Sequence, residues 1–411
     1  MQQLVERCAG LDVHQATVVA CAQVPGPDGR RLTHSAIFGT TTPDLLALRD
    51  WLIELGVSAV AMEAGGVYWK PVYYLLEDAF ARVLVVNARH VKQVPGRKTD
   101  QSDAQWLCEL VGLGLLRASF VPPQPIRDLR DLTRRRKTLI GERQREANRL
   151  HKVLEDAGIK LSSVASDVLG VSGRAMLGAL CEGTNDPAAL ADLARGRMRQ
   201  KLAALEKALA GRFREHHAFL VADLLAHLEY LEERIEALGV RIEERIAPFA
   251  ETMERWMSLP GIGQRTAEVL LAELGTELGA TFPSAGHLAS WAGLAPGTHQ
   301  SAGHRRAVGT THGNRYVRAA LYEAAMQAVR APETALGRRY RRLHARRGHR
   351  RAVVGVSHAL IALGWQLDRT RTLYLEPEPQ DLDAREQARR RRRAVAQLQR
   401  LGYQVRLEAV A

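Results

Sequence analysis

The sequence predicts an α/β domain followed by a longer, mainly helical chain. Three observations lead there. Extended runs rich in β-branched residues are confined to the N-terminal part, apolar residues recur at intervals of three and four beyond it, and a Leu/Ile seam crosses the middle. With 411 residues the chain should hold two to four domains, at about 100 to 200 residues each.

Residues 8–24, CAGLDVHQATVVACAQV, alternate and read as a first extended run. PGPDG then turns the chain into a second, RLTHSAIFGT, which gives a long β-hairpin. In TTPDLLALRDWLIELG, Thr41 or Thr42 caps a helix that Gly56 ends. GVSAVAMEA and ARVLVVNA are short buried strands on either side of a helix from Tyr68 to Asp78. The expected order is β, β, α, β, α, β, with a further helix over Thr99 to Leu116. PPQP at 122–125 closes a first domain, 1–125, ahead of a strongly basic helix from Ile126 to Glu155.

Residues 126–254 are expected to form a helical linker region. Within it Leu224, Leu228, Leu231, Ile235, Leu238 and Ile242 have the spacing of an a/d seam. That predicts a coiled coil or helical hairpin, serving as a spacer or dimer contact. Residues 255–370 open on LPGIGQRTAEVLLAELG, a pair of helices whose Pro260, Gly261 and Gly263 resemble a helix-hairpin-helix turn. Backbone N–H groups at such a helix start can cradle a phosphate, although a tight interhelical turn has the same composition. Leu288 to Leu367 is Gly-rich at first and then helical, and residues 371–411 form a basic tail.

Hydrophobic residues at 46% and charged residues at 25% exclude wholesale disorder, a fibrous chain and a disulfide miniprotein. Cys8, Cys21, Cys108 and Cys181 make no CxxC pair, so neither a zinc ribbon nor a disulfide framework is expected. Free thiols suit a reducing compartment. MQQLVERCAG lacks the apolar core of a secretory signal and no stretch is long enough for a membrane span, so a soluble, cytoplasmic protein without membrane contact is expected.

The unusual quantity is the net charge of +13. Residues 126–160 carry eleven Lys or Arg against six Asp or Glu, and residues 255–370 sixteen against six, while the first domain is close to neutral. Gathered positive charge fits a polyanion-binding surface, because counterion release favours phosphate contacts; a solvated helix face is the alternative. Candidate contacts are Arg134, Arg135 and Arg136 in the basic helix, and Arg338, Arg339, Arg341 and Arg342 in the densest cluster. That cluster, 338–351, holds eight Arg with Tyr340, His344 and His349. Arg389 to Arg393 form a further run in the tail.

Carboxylates supply the candidate chemistry. Asp12 lies in the first strand, Glu63 closes the third extended run, and Asp100 and Asp103 are three apart at the start of a helix, on one face. Brought together they would repel one another without divalent cations between them. Hard oxygen donors suit Mg²⁺ or Mn²⁺, and two such ions would serve phosphoryl transfer on nucleic acid. Taken singly, Asp100 also suits a helix N-terminus through the macrodipole, and Asp12 a turn.

These residues lie in recognisable motifs. GLDVH at 10–14, AMEAGG at 61–66 and GRKTDQSDA at 96–104 resemble the RuvC-like, RNase H-fold domain of DEDD transposases of bacterial insertion sequences, the insertion-sequence one-ten family. PGIG at 260–263, GLAPGTHQSAG at 293–303, then Gly309, Gly313 and Asn314 to Arg318, resemble the C-terminal transposase domain of the same family. The longer chain and the basic tail beyond Leu367 resemble its eleven-eleven group. The resemblance implies that Asp12, Glu63, Asp100 and Asp103 bind Mg²⁺ and that Ser301 is the nucleophile. It further implies a recombinase that excises and inserts an element, guided by an RNA which that element encodes. Within the motifs, Lys98, Gly261, Gly263, Arg305, Arg306, Arg315 and Arg318 are the further nucleic-acid contacts expected.

A serine attacking a phosphodiester keeps the bond energy in a phosphoserine for religation, whereas water releases a free end. Recombination needs the first outcome. The seam and the separation of serine from carboxylates suggest a dimer or larger assembly in which Ser301 of one subunit acts with the acidic residues of another. Two alternatives stay open: a junction-resolving nuclease that uses the same carboxylates with water, and a structural nucleic-acid binder.

Overall fold

Small and β-branched residues of the N-terminal part build a five-stranded sheet. Strands β1 (Cys8–Val13), β2 (Thr17–Pro25) and β3 (Arg31–Gly39) run antiparallel in sequence order. The run over residues 8–24 is therefore two strands, not the one expected: Asp12 pairs with Val19 and Val13 with Val18 across a turn at residues 14–16. That turn, His14-Gln15-Ala16, has neither Gly nor Pro to announce it, and alternation continues straight through. The next turn falls at PGPDG as expected, with Pro25 opposite Arg31.

The chain continues through α1 (Thr42–Glu54), β4 (Ala59–Glu63), α2 (Trp69–Leu76), β5 (Arg82–Val86), α3 (Ala88–Val91) and α4 (Asp103–Gly112). The sheet order is β3-β2-β1-β4-β5, with β4 parallel to both β1 and β5. Parallel neighbours need crossover connections, and α1 and α2 supply them. Because side chains alternate across a sheet, the strands feed two cores. Ala9, Leu11, Val60 and Met62 join Leu48, Leu52 and Leu76 of α1 and α2 on one face. Cys8, Ala59, Ala61 and Leu84 join Ala104, Leu107, Cys108 and Val111 of α4 on the other.

The molecule, a computed structural model, describes residues 4–28, 30–91, 94, 102–297, 299–301, 304–306, 309–310 and 312–406, of which 89, 299–301, 304–306, 385 and 386 are described by backbone alone. It divides into two units, Met1–Val121 and Pro122–Ala411. The second holds α5 (Gln124–Asp156), α6 (Leu161–Val164), α7 (Val171–Cys181), α8 (Pro187–Asp192), α9 (Leu202–Leu209) and α10 (Glu215–Ile246). It continues with α11 (Ala250–Met257), α12 (Gln264–Leu274), α13 (Leu278–Thr281) and α14 (Ala285–Trp291). A two-stranded ribbon, β6 (His299–Ser301) and β7 (His304–Arg306), precedes α15 (Arg315–Ala328), α16 (Ala335–Thr370) and α17 (Pro379–Arg400).

The Leu/Ile seam is satisfied inside the chain. Helix α10 runs antiparallel along α5: Leu231 and Ile235 cluster with Leu139, Val221 and Leu228 with Leu150 and Leu154, and His217 reaches Asp156. Burying a leucine such as Leu228 fully is worth about 1.5 to 3 kcal/mol, and α5 supplies that burial within the chain. Within one chain the seam thus forms a helical hairpin, one of the two arrangements expected of it. No helix among the described residues is long and apolar enough to cross a membrane.

Candidate active site

Strand parity gathers the carboxylates. Asp12 shares its face of β1 with Cys8 and Gly10, and Glu63 shares its face of β4 with Ala59 and Ala61, so both belong to the face that α4 covers. The parallel pairing of Leu11 with Met62 puts Asp12 and Glu63 next to each other at the C-terminal end of adjacent strands. Helix α4 begins at Asp103, with Ser102 as its cap accepting from the Gln105 N–H at 3.2 Å. Asp12 is 28% exposed and lies 3.1 Å from His14 Nε2, and Asp103 is exposed. Asp100 and Lys98 lie outside the described residues. Among the described residues, no three His, Cys, Asp or Glu side chains already stand at metal-holding distance.

What brings the start of α4 over β1 is the absence of a side chain. A Cβ on Gly10 would lie 2.2 Å from the Ala104 carbonyl oxygen, 2.4 Å from the Cys108 nitrogen and 2.8 Å from the Leu107 Cβ. Only glycine permits that approach, and Ala104 directly follows Asp103. One turn further, Cys8 and Cys108 fasten the contact: each thiol donates to the other's carbonyl, at 3.4 and 3.3 Å, with the two Sγ atoms 3.8 Å apart. Beside the sulfurs of Cys21 and Cys8, and buried, the Cys108 thiol is pushed well above the ordinary range and stays protonated. Three cysteines far apart in sequence thus act as small packing groups, a role their spacing could not reveal.

Ser301 closes β6, its backbone paired with His304 of β7. Its side chain, and those of Arg305 and Arg306, lie outside what is described. The base of this ribbon is tied down by the bridge of Pro296 to Thr310, by Gly297 N–H donating to the Gly309 carbonyl at 2.9 Å, and by Gly313 pressed against the end of α14. Next to Gly313, Asn314 caps α15 by accepting from Tyr316 and Val317, and its amide donates to Glu273 at 2.6 Å. Glu273, with no exposed surface, also accepts two bonds from Arg134 at 2.7 and 2.8 Å and lies 3.5 Å from Arg130. Sequence reasoning missed Glu273, because a carboxylate inside an apolar helix carries no signal of the arginine that will meet it.

The remaining expected contacts divide by burial. Arg136 is buried in an ion pair with Glu268, which removes it from the surface, whereas Arg135 is exposed. Arg134 stacks on the Tyr316 ring at 4.6 Å and Arg315 at 4.8 Å, while Arg318 is exposed. Gly261, at φ +83°, lies so close to α15 that a Cβ would stand 2.2 Å from the Ala324 carbonyl. It is a packing glycine. Gly263 caps α12 in open space. Arg338 pairs with Glu333 and Asp383, Arg339 donates to the Gly355 carbonyl at 3.2 Å, Arg341 pairs with Glu333, and Arg342 is half-buried.

Comparison with known proteins agrees with this layout. A family model described as a transposase matches residues 9–159, which include Asp12, Glu63, Asp100 and Asp103. A second, described as the transposase IS116/IS110/IS902 family, matches residues 253–341, which include Ser301 and Asn314. The chain belongs to the IS110 family of transposases. An insertion element IS110 uncharacterized 43.6 kDa protein from Streptomyces coelicolor is 32% identical to this IS110-family chain over 162 residues, which cover 38% of each. An insertion element IS116 uncharacterized 44.8 kDa protein from Streptomyces clavuligerus is 28% identical over 337 residues, 72% of this chain and 81% of that one.

Proposed function

We propose that this IS110-family chain cuts and rejoins DNA as the transposase of an insertion element, with Ser301 as nucleophile and Asp12, Glu63, Asp100 and Asp103 as metal ligands. The observation that carries this is the assembly of Asp12, Glu63 and the first residue of α4 at one end of one sheet face, over the gap left by Gly10. The strand order β3-β2-β1-β4-β5, three antiparallel strands followed by two parallel ones, supports an RNase H-like, RuvC-like domain. The carboxylates are hard donors that fit Mg²⁺ or Mn²⁺, two ions per site; bound there, such ions neutralise phosphate charge and help to activate the attacking oxygen.

The chain's own residues do the rest. His14, at 3.1 Å, orients the Asp12 carboxylate. The Ser301 oxygen forms a bond to phosphorus as the bond to the leaving strand oxygen breaks; the serine proton passes to solvent water and the leaving oxygen takes one from solvent. The pairing of β6 with β7, and a base fixed through Asn314 to Glu273, hold the Ser301 backbone in place. The exposed Arg135 and Arg318 suit phosphate contacts. A guide RNA encoded by the element and an oligomer that shares its active sites between subunits complete the proposal.

The test is denaturing electrophoresis of the protein and its co-purifying RNA with Mg²⁺ and labelled element-end DNA. A slow-migrating covalent adduct is expected, absent in both Ser301→Ala and Asp12→Ala. Cleavage that survives Ser301→Ala without any adduct would identify a water-using nuclease instead.

A further inference from the structure

The arginine cluster at 338–351 is not one surface. Helix α16 breaks at Gly348, whose φ of 74° and ψ of 173° fall in a region open essentially to glycine alone. The chain folds back there, so residues 335–347 and 349–370 form two arms. Arg339 bonds to the Gly355 carbonyl, Leu343 packs on Gly355, and the Tyr340 hydroxyl meets His349 Nδ1 at 2.9 Å. His344 closes the cluster, 5.4 Å from the Tyr340 ring and 6.5 Å from that of His349. The second arm is rooted in the core through Val353, Val356, Leu360 and Ile361.

The arginines divide accordingly. At the base, Arg338 and Arg341 are neutralised by Glu333 and Asp383. At the tip, Arg346, Arg347, Arg350 and Arg351 are exposed, two on each side of Gly348. Among the described residues none of these four has an ion-pair partner, and the sequence places no Asp or Glu between Glu333 and Asp368. A carboxylate-free tip on a braced, rooted hairpin concentrates charge where a polyanion can reach it.

We propose that this tip binds the phosphate backbone of double-stranded DNA, through Arg346, Arg347, Arg350 and Arg351. The inference rests on the reading of the chain as a DNA-acting transposase and adds to it a contact beyond the last residue, 341, that the family model matches. Charge complementarity selects a polyanion, and the reading of the chain as a DNA-acting transposase selects double-stranded DNA among polyanions. Four guanidinium groups can pair with phosphate oxygens on any duplex, which is the contact that a random-sequence duplex measures. Gly348 fixes the angle at which the two arginine pairs diverge.

The test measures binding without chemistry. Equilibrium binding of labelled random-sequence duplex is followed across about 50 to about 200 mM salt in EDTA, in the Asp12→Ala background. The variant Arg346→Gln/Arg347→Gln/Arg350→Gln/Arg351→Gln should bind more weakly at low salt, and its slope of log K against log salt should be shallower by about 3 to 4, since each phosphate contact contributes about 0.9. Arg338→Gln/Arg341→Gln, at the neutralised base, should change the slope by less than about 1. The fourfold variant should melt with the wild type, because its four arginines are exposed. An unchanged slope in the fourfold variant overturns the proposal, as does a loss of binding confined to structured RNA. Adduct formation with Mg²⁺ is scored separately, so absence of the adduct would sink the transposase reading without touching the duplex measurement.

Discussion

Replacing Gly10 by alanine tests how the site is built. The added methyl would stand 2.2 Å from the Ala104 oxygen and 2.4 Å from the Cys108 nitrogen, both backbone atoms that cannot swing aside. Ordinary contact lies near 3.5 Å, so α4 must withdraw from β1 by about 1 Å. Overpacking of this kind costs about 1 to 3 kcal/mol. The same displacement carries Asp103 away from Asp12 and Glu63, and a misplacement of about 1 Å in a catalytic constellation can cost about 100-fold in rate. Thermal unfolding and Mg²⁺-dependent cleavage of element-end DNA, normalised to folded protein, give both numbers. Leu154→Ala, in the core of the second unit, supplies the control: it should cost about 2 to 5 kcal/mol while leaving cleavage per folded molecule intact. A Gly10→Ala protein that melts with the wild type and cleaves within about twofold of it would refute the idea that this close approach positions the carboxylates.

Other perturbations have equally definite outcomes. Glu273→Ala strips the buried partner from Arg134 and Asn314 and should cost about 3 to 5 kcal/mol in denaturant unfolding, with Glu273→Gln in between; an effect below about 1 kcal/mol would mean that the network is not holding the ribbon base. Burial, and then the nearby Arg339, hold His358 below its ordinary range, so the unfolded chain takes up a proton that the folded one refuses. Stability should therefore be level above about pH 6.5 and fall as pH drops below it, and His358→Gln should flatten that fall in melting temperature. For a site shared between subunits, mixing Asp12→Ala with Ser301→Ala protein should restore part of the adduct, and complete failure to complement would argue for a site made within one chain.

Legibility followed the range of the physics involved. Elements set by local pattern were readable: α1 with Thr41 at its cap, the short strands β4 and β5, and the long basic helix α5 all lie within a few residues of where periodicity placed them. The β1 to β2 turn was not, because His14-Gln15-Ala16 lacks turn residues and only the pairing of Asp12 with Val19 discloses it. Asp12, Glu63 and Asp103 were identifiable as residues, yet their convergence depends on Gly10 accepting α4, a contact between positions about 94 apart in sequence that no local rule encodes. The seam was read correctly as apolar and helical, but a heptad pattern does not say whether its partner is α5 or another subunit. Arginines were the hardest to assign. Composition marks Arg136 and Arg346 alike, and only the fold reveals that one is buried against Glu268 while the other stands at the tip of a hairpin.

The two faces of the sheet explain why the acidic residues occur where they do. On the α1 and α2 side, Leu45, Leu48, Leu52, Met62 and Leu76 fill a thick core in which helices and strands are kept apart by large side chains. On the α4 side, β1, β2 and β4 contribute Cys8, Gly10, Cys21, Ala59 and Ala61, and at Gly10 α4 lies almost on the backbone, with the larger Leu84 and Val86 confined to β5. A thick core tolerates sliding, because large side chains can repack, whereas backbone-to-backbone contact leaves a helix one position. The reciprocal thiol-to-carbonyl bonds of Cys8 and Cys108 add direction to that contact without adding bulk. Under the proposed function the carboxylates need fixed positions, and Asp12, Glu63 and Asp103 all lie on the thin side, at the strand ends where the helix begins.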